Sequence, residues 1–401
     1  MPEVILIATF ETKAEELAFL RGALESHGLS VHPVDISLGA RGEVWDGETK
    51  IASMQKMAIE GTASSLAFLA EGAAAIVGLG GGTGGEMILQ VMKALPHDFP
   101  KFLITTLPFD PRPTLADTSI VLVPTLADIC GLNSALRTVL KRSAAMVAGL
   151  AALPPPPPAS RAIGITTLGA TQAGADQIAH ALRTLGHECM LFHANGYGGA
   201  AFARYAAAGA FHAVIDLNCH ELTRMMLAGA HVPMPTRFTA AGMAGAPQLV
   251  LPGALNFIGL GEIGTLSPDH LARPHYRHSG LFTHVKLMPE EMARIATALA
   301  ANLNASPSPT HLIVPMGGFS HQDAPGGAIE DPHLRHVFLD CMRRELGAHV
   351  QISAIEAHIN HPDTAAAVVA ALAHHLAHHF AQSDKVQQCS TSTISTPRRM
   401  N

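Results

Sequence analysis

Charge is scarce in this chain. Only 14% of residues are Asp, Glu, Lys or Arg, and the formal net charge of −6 leaves no basic excess. Without a basic stripe to displace counterions, the composition argues against a nucleic-acid-binding surface. Cysteine is scarce as well: Cys130, Cys189, Cys219, Cys341 and Cys389 are scattered, odd in number and without a Cys-x-x-Cys spacing. That excludes a small disulfide scaffold and points to a reducing, cytoplasmic setting. Met1-Pro2-Glu3 leads at once into a strand-like run, with neither the basic nor the long apolar region of a signal peptide. No uninterrupted apolar stretch reaches the length of a membrane span. A P-loop is missing too, because the glycine-rich stretch around Gly80 lacks a Gly-Lys-Ser/Thr ending.

What the chain does have is apolar content, 48% of its residues, a balance that suits buried parallel sheets covered by alanine-rich helices. Its 401 residues exceed what one core usually holds. We expect an α/β protein of two Rossmann-like, doubly wound domains, residues 1–153 and 161–381. The proline run from Pro154 to Pro158 would be a polyproline II spacer between them, and residues 382–401 a disordered tail. The opening Ile163-Gly164-Ile165-Thr166-Thr167 echoes Ile5-Leu6-Ile7-Ala8-Thr9 and suggests that the pattern restarts.

In chain order, strands are predicted over 4–8, 29–36, 73–77, 101–105 and 120–124, each handing polar residues to its carboxyl end. The second half predicts strands over 162–166, 189–192, 213–216, 248–251, 311–314 and 350–354. Helices fill the intervals between them, and 252–281 reads as a long, mostly irregular segment. Alternating strand and helix make a parallel α/β layer.

The run Val77-Gly78-Leu79-Gly80-Gly81-Gly82-Thr83-Gly84-Gly85-Glu86 reads as strand, tight loop, helix, with the helix from Met87. Glycines let backbone N–H groups approach a ligand, and a helix amino end adds partial positive charge, so a phosphate or carboxylate suits it. A plain tight turn is the competing explanation. Ligands of doubly wound sheets lie outside the carboxyl ends of the strands, so Thr9, Glu11, Lys13, Asp35 and Thr105 are candidates to face this loop. Glu11 as a helix-start carboxylate and Lys13 as a solvated charge are the simpler alternatives.

A second concentration of polar groups lies in the other half. His193 enters the loop Asn195-Gly196-Tyr197-Gly198-Gly199, and Asp216 leads into Asn218-Cys219-His220-Glu221. An enzyme acting on a small carboxylated or oxygenated substrate could use His193 as general base. Asp216 or Glu221 would orient it, Gly198 and Gly199 would supply amides, and His278 would stand close by. A hydrogen-bonded core histidine is the competing account of His193. For a metal, His220-Glu221 and His321-Gln322-Asp323 offer donors without a zinc spacing. His374/His378 and His375/His379 fit a solvated helix face better than a chelate.

Together, Glu11-Thr12-Lys13, Gly80 to Gly84, Asp128-Ile129-Cys130-Gly131-Leu132-Asn133, Phe192-His193-Ala194, Asp216-Leu217, Pro252-Gly253-Ala254-Leu255, Gly317-Gly318-Phe319-Ser320 and His358-Ile359-Asn360 carry a resemblance. In their order and spacing they resemble the widespread uncharacterised proteins related to the ATP-binding amino-terminal domain of the tomato tobamovirus-resistance protein. The resemblance implies two Rossmann-like subdomains and self-association as a homodimer or higher homo-oligomer. It also implies ATP on the first domain's glycine loop; on that basis our leading expectation has Thr83 donating its hydroxyl, Thr9, Glu11, Lys13 and Thr105 closing the pocket, and Mg²⁺ accompanying the phosphates. By the plant analogy a nucleotide-regulated interaction module is a further reading. Departures from the family's pattern fall at Glu11, where Asp is usual, at Asn195, Tyr197, Ala200, Phe202 and Ala203, at Asn218, Cys219 and His220, and at Ser279-Gly280. They concentrate in the second domain and leave the first glycine loop intact.

Overall fold

Val4 to Ile7 are apolar without a break, and the structure, a computed structural model, buries all four on strand β1 (Glu3–Ala8). It describes residues 1–39, 46–106, 108, 110–154, 161–227 and 232–376. Their contacts divide the chain into two units, Met1–Pro157 and Pro158–Asn401. In the first, β1 is joined by β2 (Ser30–Asp35), β3 (Ala75–Gly80), β4 (Lys101–Thr105) and β5 (Val121–Pro124) in the order β2-β1-β3-β4-β5. Every neighbouring pair is parallel.

Alternation along β1 explains why both faces need helices. Val4 and Leu6 pack with Leu17, Leu20 and Leu140 from helices Ala14–Ser26 and Ser134–Ala151. Ile5 and Ile7 pack with Met54, Met87 and Ile88 from helices Gly47–Ala70 and Gly82–Ala94. A strand buried on both sides reads as a continuous apolar run, as this one does. Helices Gly47–Ala70 and Ser134–Ala151 start where a side chain satisfies a free N–H group: Asp46 accepts from Thr49 N at 2.9 Å, and Asn133 from Leu136 N at 2.9 Å.

The second unit repeats the winding order with one strand more. Its strands β6 (Ala162–Thr167), β7 (Cys189–His193), β8 (Phe211–Asn218) and β9 (Gln248–Gly253) belong to one six-stranded parallel sheet. Then come β10 (Phe257–Leu260), β11 (His275–Arg277) and β12 (Thr283–Lys286), an antiparallel trio in the order β10-β12-β11. The six-stranded sheet is completed by β13 (Thr310–Pro315) and β14 (Val350–Ile355), in the order β14-β13-β9-β8-β6-β7. Ile163 and Ile165 meet Ile178 and Leu182 of helix Gln172–Thr184 on one face, together with Val368 and Leu372. Val250, Leu312 and Val314 meet Ile295, Leu299 and Phe338 on the other.

Three expectations are corrected here. The segment 252–281, expected to be mostly irregular, carries β10 and β11, because the short runs Phe257–Leu260 and His275–Arg277 are the two outer strands of a three-stranded sheet whose middle strand follows them. β8 runs two residues past the expected end, so Asp216 lies inside the strand instead of at its last position. The glycine run has almost no loop, because β3 extends through Gly80 and the helix starts at Gly82. Most of the proline spacer, from Pro155, and the tail expected from 382 lie outside the described residues.

Candidate functional site

With the order β2-β1-β3-β4-β5, chain winding reverses between β1 and β3, and ligands of such sheets lie at the carboxyl ends there. The β3-to-helix turn opens at that point. None of Gly78 to Gly85 has a positive φ, so these glycines are not needed for left-handed backbone. They divide by what a Cβ would meet. At Gly80 it would lie 2.6 Å from Gly85 N, and at Gly78 2.5 Å from Ile88 Cγ2, so both are packing glycines. At Gly81 the nearest atom would be Thr106 Oγ1 at 3.9 Å, at Gly82 a Pro108 carbon at 3.8 Å, and at Gly84 Thr9 atoms at 3.6 Å. No neighbouring atom stands in the way of a Cβ at these three.

Helix Gly82–Ala94 has no side-chain cap, and its first internal tie is Gly85 N to Gly81 O at 2.7 Å. Hydroxyls surround this end. Thr105 Oγ1 would lie 3.1 Å from a Cβ on Gly85, and it is buried without a hydrogen-bond partner, as is Thr125 Oγ1. Thr125 N in turn donates to Thr105 O at 2.9 Å. The structure therefore brings Thr9, Thr105 and the run Gly80, Gly81, Gly82, Thr83, Gly84 together.

Glu11 and Lys13 have other work. Glu11 Oε1 accepts from Leu38 N at 3.2 Å and Glu11 N donates to Ser37 Oγ at 3.1 Å. Lys13 Nζ donates to Ile129 O, and Glu16 Oε1 accepts from Gly131 N at 2.7 Å. Two motifs distant in sequence are thereby tied together. Asp35 Oδ1 organises the end of β2, accepting from Phe10 N at 3.1 Å and from Ser37 N at 2.9 Å.

In the second unit the expected dyad partners form a buried ion triad. Arg237 Nη1 and Nη2 donate to the two oxygens of Asp216 at 2.6 and 2.9 Å, and Nε donates to Glu221 Oε2 at 2.7 Å. Relative exposures are 1% for Arg237, 4% for Asp216 and 0% for Glu221. Burial by itself would lower the Arg237 pKa, but Asp216 and Glu221 reverse this and raise it. Thr166 Oγ1 donates to Asp216 Oδ1 at 2.6 Å, and the amides of Gly196 and Gly199 donate to Glu221 Oε1 at 3.0 and 2.9 Å. The Gly199 amide, expected to face a ligand anion, is thus used by the protein's own carboxylate. A Cβ on Gly199 would sit 1.8 Å from Glu221 Oε2.

His193 stands exposed at the end of edge strand β7, and Asp216 and Glu221 direct their oxygens to Thr166, Arg237 and backbone amides instead. The expected orienting contact to His193 is absent from this arrangement. His278, also exposed, stacks on His284 with ring centroids 4.9 Å apart. His284 stacks on Phe257 at 4.0 Å, and Phe257 meets His220 at 4.6 Å. Burial, with Arg224 and the neighbouring imidazoles adding to it, pushes His220 and His284 each down to about 3. Burial lowers the Arg224 pKa too. Among the described residues no group of three or more His, Cys, Asp or Glu is arranged to hold a metal ion.

Other motif residues hold the frame. His358 Nε2 donates to Ser320 O at 2.8 Å, and Asn360 ties Gly174 N and Ala170 O at 3.0 Å each. Asp323 accepts from Phe319 N at 2.9 Å and from Arg335 Nη1 at 2.7 Å, and burial raises its pKa to about 6. Arg237, Phe257 and His284 were not legible as site residues. The alternation Thr283-His284-Val285-Lys286 was the one signal, since it places His284 opposite Val285 across a strand.

Two parallel doubly wound units, each with its motif residues gathered at the strands' carboxyl ends, define a two-unit Rossmann-like α/β protein. The model of the N-terminal domain of the uncharacterised protein family UPF0261 matches residues 41–155, and that of its C-terminal domain matches 160–376. The chain belongs to the UPF0261 family. It is 31% identical over 395 residues to a UPF0261 protein of Mesorhizobium japonicum, covering 93% of this chain and 99% of the relative. A UPF0261 protein of Brucella suis is 28% identical over 394 residues, 92% of this chain and 94% of the relative. The ToMV resistance protein Tm-1 of Solanum lycopersicum is 28% identical over 333 residues, 80% of this chain but 43% of that protein.

Proposed function

We propose that the first unit binds a nucleotide, with ATP the one that the resemblance implies, its phosphates at the amino end of helix Gly82–Ala94. One observation carries this reading: at the turning point of the sheet, an uncapped helix end is flanked by glycines that packing does not require and by the buried, unpartnered Thr105 hydroxyl. The first N–H groups of a helix have no acceptor within it, so those of Gly82, Thr83 and Gly84 suit phosphate oxygens. Thr9 and Thr105 would add hydroxyls. Glu11, with one oxygen engaged on Leu38 N, has the second to offer toward Mg²⁺ carried by the phosphates. Lys13 would act indirectly, by fixing the Ile129 turn. With no lysine in the P-loop position, we read binding without turnover.

Calorimetric titration with ATP, with and without Mg²⁺, tests this. Saturable binding is expected, and Gly81→Val should weaken it at least about tenfold, equivalent to about 1.4 kcal/mol, by filling the open space over the amides. An affinity that the valine leaves unchanged would dismiss the cradle.

A further inference from the structure

We propose that the amino edge of the first unit's sheet binds a small apolar cation, an ammonium carried on a hydrocarbon body. A cavity of about 820 Å³ opens there, lined by the segments that enter β3 and β4 and by the ends of two helices. Leu69, Ala73, Phe99, Leu150 and Leu153 wall it, and Asp98 is the one charged side chain in its lining. Small-molecule sites are cavities of this size, mostly apolar, with a few polar groups that fix orientation. The glycine run lies at the other end of the same strands, so this inference does not depend on the nucleotide reading.

Room and charge are both visible in the lining. Gly72, at φ 104, is a lining residue on which a Cβ would meet nothing within 4 Å, so the wall is open at that point. Phe99 is buried and Leu153 is 62% exposed, so the apolar wall runs from the core out to solvent. Helices Gly47–Ala70 and Ser134–Ala151 both end at this cavity, and neither carries a basic residue in its last turn. Their carboxyl ends therefore keep their partial negative charge, which favours a cation.

One cation of the protein lies close by, and its engagement leaves Asp98 to another. Lys101 is buried, and its Nζ donates to the carbonyl oxygens of Pro96, of His97 at 3.3 Å and of Phe99 at 2.9 Å. The turn 96–99 is thus wrapped round that ammonium, and it closes with Phe99 N donating to Pro96 O at 3.2 Å. Asp98 stands exposed on this fixed turn, and among the described residues no cation pairs with it. An unpaired carboxylate and two helix carboxyl ends beside an apolar wall match an ammonium on an apolar body and repel a carboxylate.

The probes are naphthylmethylammonium, the neutral naphthylmethanol and the anionic naphthylacetate, each titrated calorimetrically into the full-length protein. The ammonium should saturate below about 1 mM, and the acetate should bind at least about tenfold more weakly. Asp98→Asn, at an exposed position, should weaken the ammonium about threefold or more in low salt and leave the alcohol unchanged. No saturation by the ammonium, equal affinity for the acetate, or an ammonium affinity that Asp98→Asn leaves unchanged would each overturn the proposal.

Discussion

Arg237 shows how a single side chain can set the character of a region. It sits over the faces of Phe202 and Phe238, 4.9 and 4.6 Å from their centroids, while neutralising Asp216 and Glu221. Removing one partner of a buried ion group leaves an uncompensated charge, typically at a loss of about 3–5 kcal/mol. Arg237→Met is therefore expected to lower the denaturation midpoint by that order of free energy, since two carboxylates would lose their cation. A midpoint within about 0.5 kcal/mol of wild type would show that the triad is not what holds this region. Reading Asp216 and Glu221 as polar and gathered at a strand end was sound; reading them as ready for a ligand needed Arg237, which stands 16 residues after Glu221. Nothing in the local pattern Pro235-Thr236-Arg237-Phe238 announces that partnership.

Among elements, the turn from β3 into helix Gly82–Ala94 separates two uses of glycine. Gly80 is where the helix's first turn touches the strand, and Gly81 is where it opens outward. Gly80→Ala would force its Cβ toward backbone atoms of Gly84 and Gly85, at 2.7 and 2.6 Å, and is expected to destabilise by about 1–3 kcal/mol. Gly81→Ala, whose Cβ would meet nothing closer than Thr106 Oγ1 at 3.9 Å, should lose clearly less. Paired thermal melts check the contrast, and equal losses would mean that both glycines serve packing. The glycine run itself was plain from the sequence. Which of its members face inward was not, because that depends on the crossing of helix and strand.

At the scale of the whole molecule, the shifted ionisable groups are unevenly distributed. His220 and His284, at about 3 in the fold, bind protons more readily once unfolded, so their stabilisation is present above about pH 6.5 and is lost as pH falls toward 3. Asp323, at about 6, acts in the opposite sense: its contribution is present below its unfolded value of 3.8 and is lost as pH rises through 6. Each group amounts to about 1.4 kcal/mol per pH unit within its window. Two histidines against one carboxyl leave a net loss between pH 6 and 4, carried by the second unit. Thermal melts across that range should show its transition falling on acidification. A transition that rises or holds level would contradict the burial of these imidazoles.

Apolar runs determined the inner strands of both parallel sheets, because a strand covered on both faces is mostly apolar, whereas the edge strands β2 and β14 carry polar residues such as His32 and Gln351. The short strands of the antiparallel trio escaped, since three or four residues carry too little pattern without their partners. The sequence alone also placed polar residues at strand ends, a consequence of chain direction in a parallel sheet. Which of those residues bind one another, and which stand open to a ligand, was decided only in three dimensions. Asp216, Glu221 and Arg237 are neutralised by each other, Lys13 donates to Ile129 O, and His220 is turned by Ala254 O. The reason is that hydrogen bonds and ion pairs are satisfied by proximity and angle, and in both units the partners come from segments far apart in the chain.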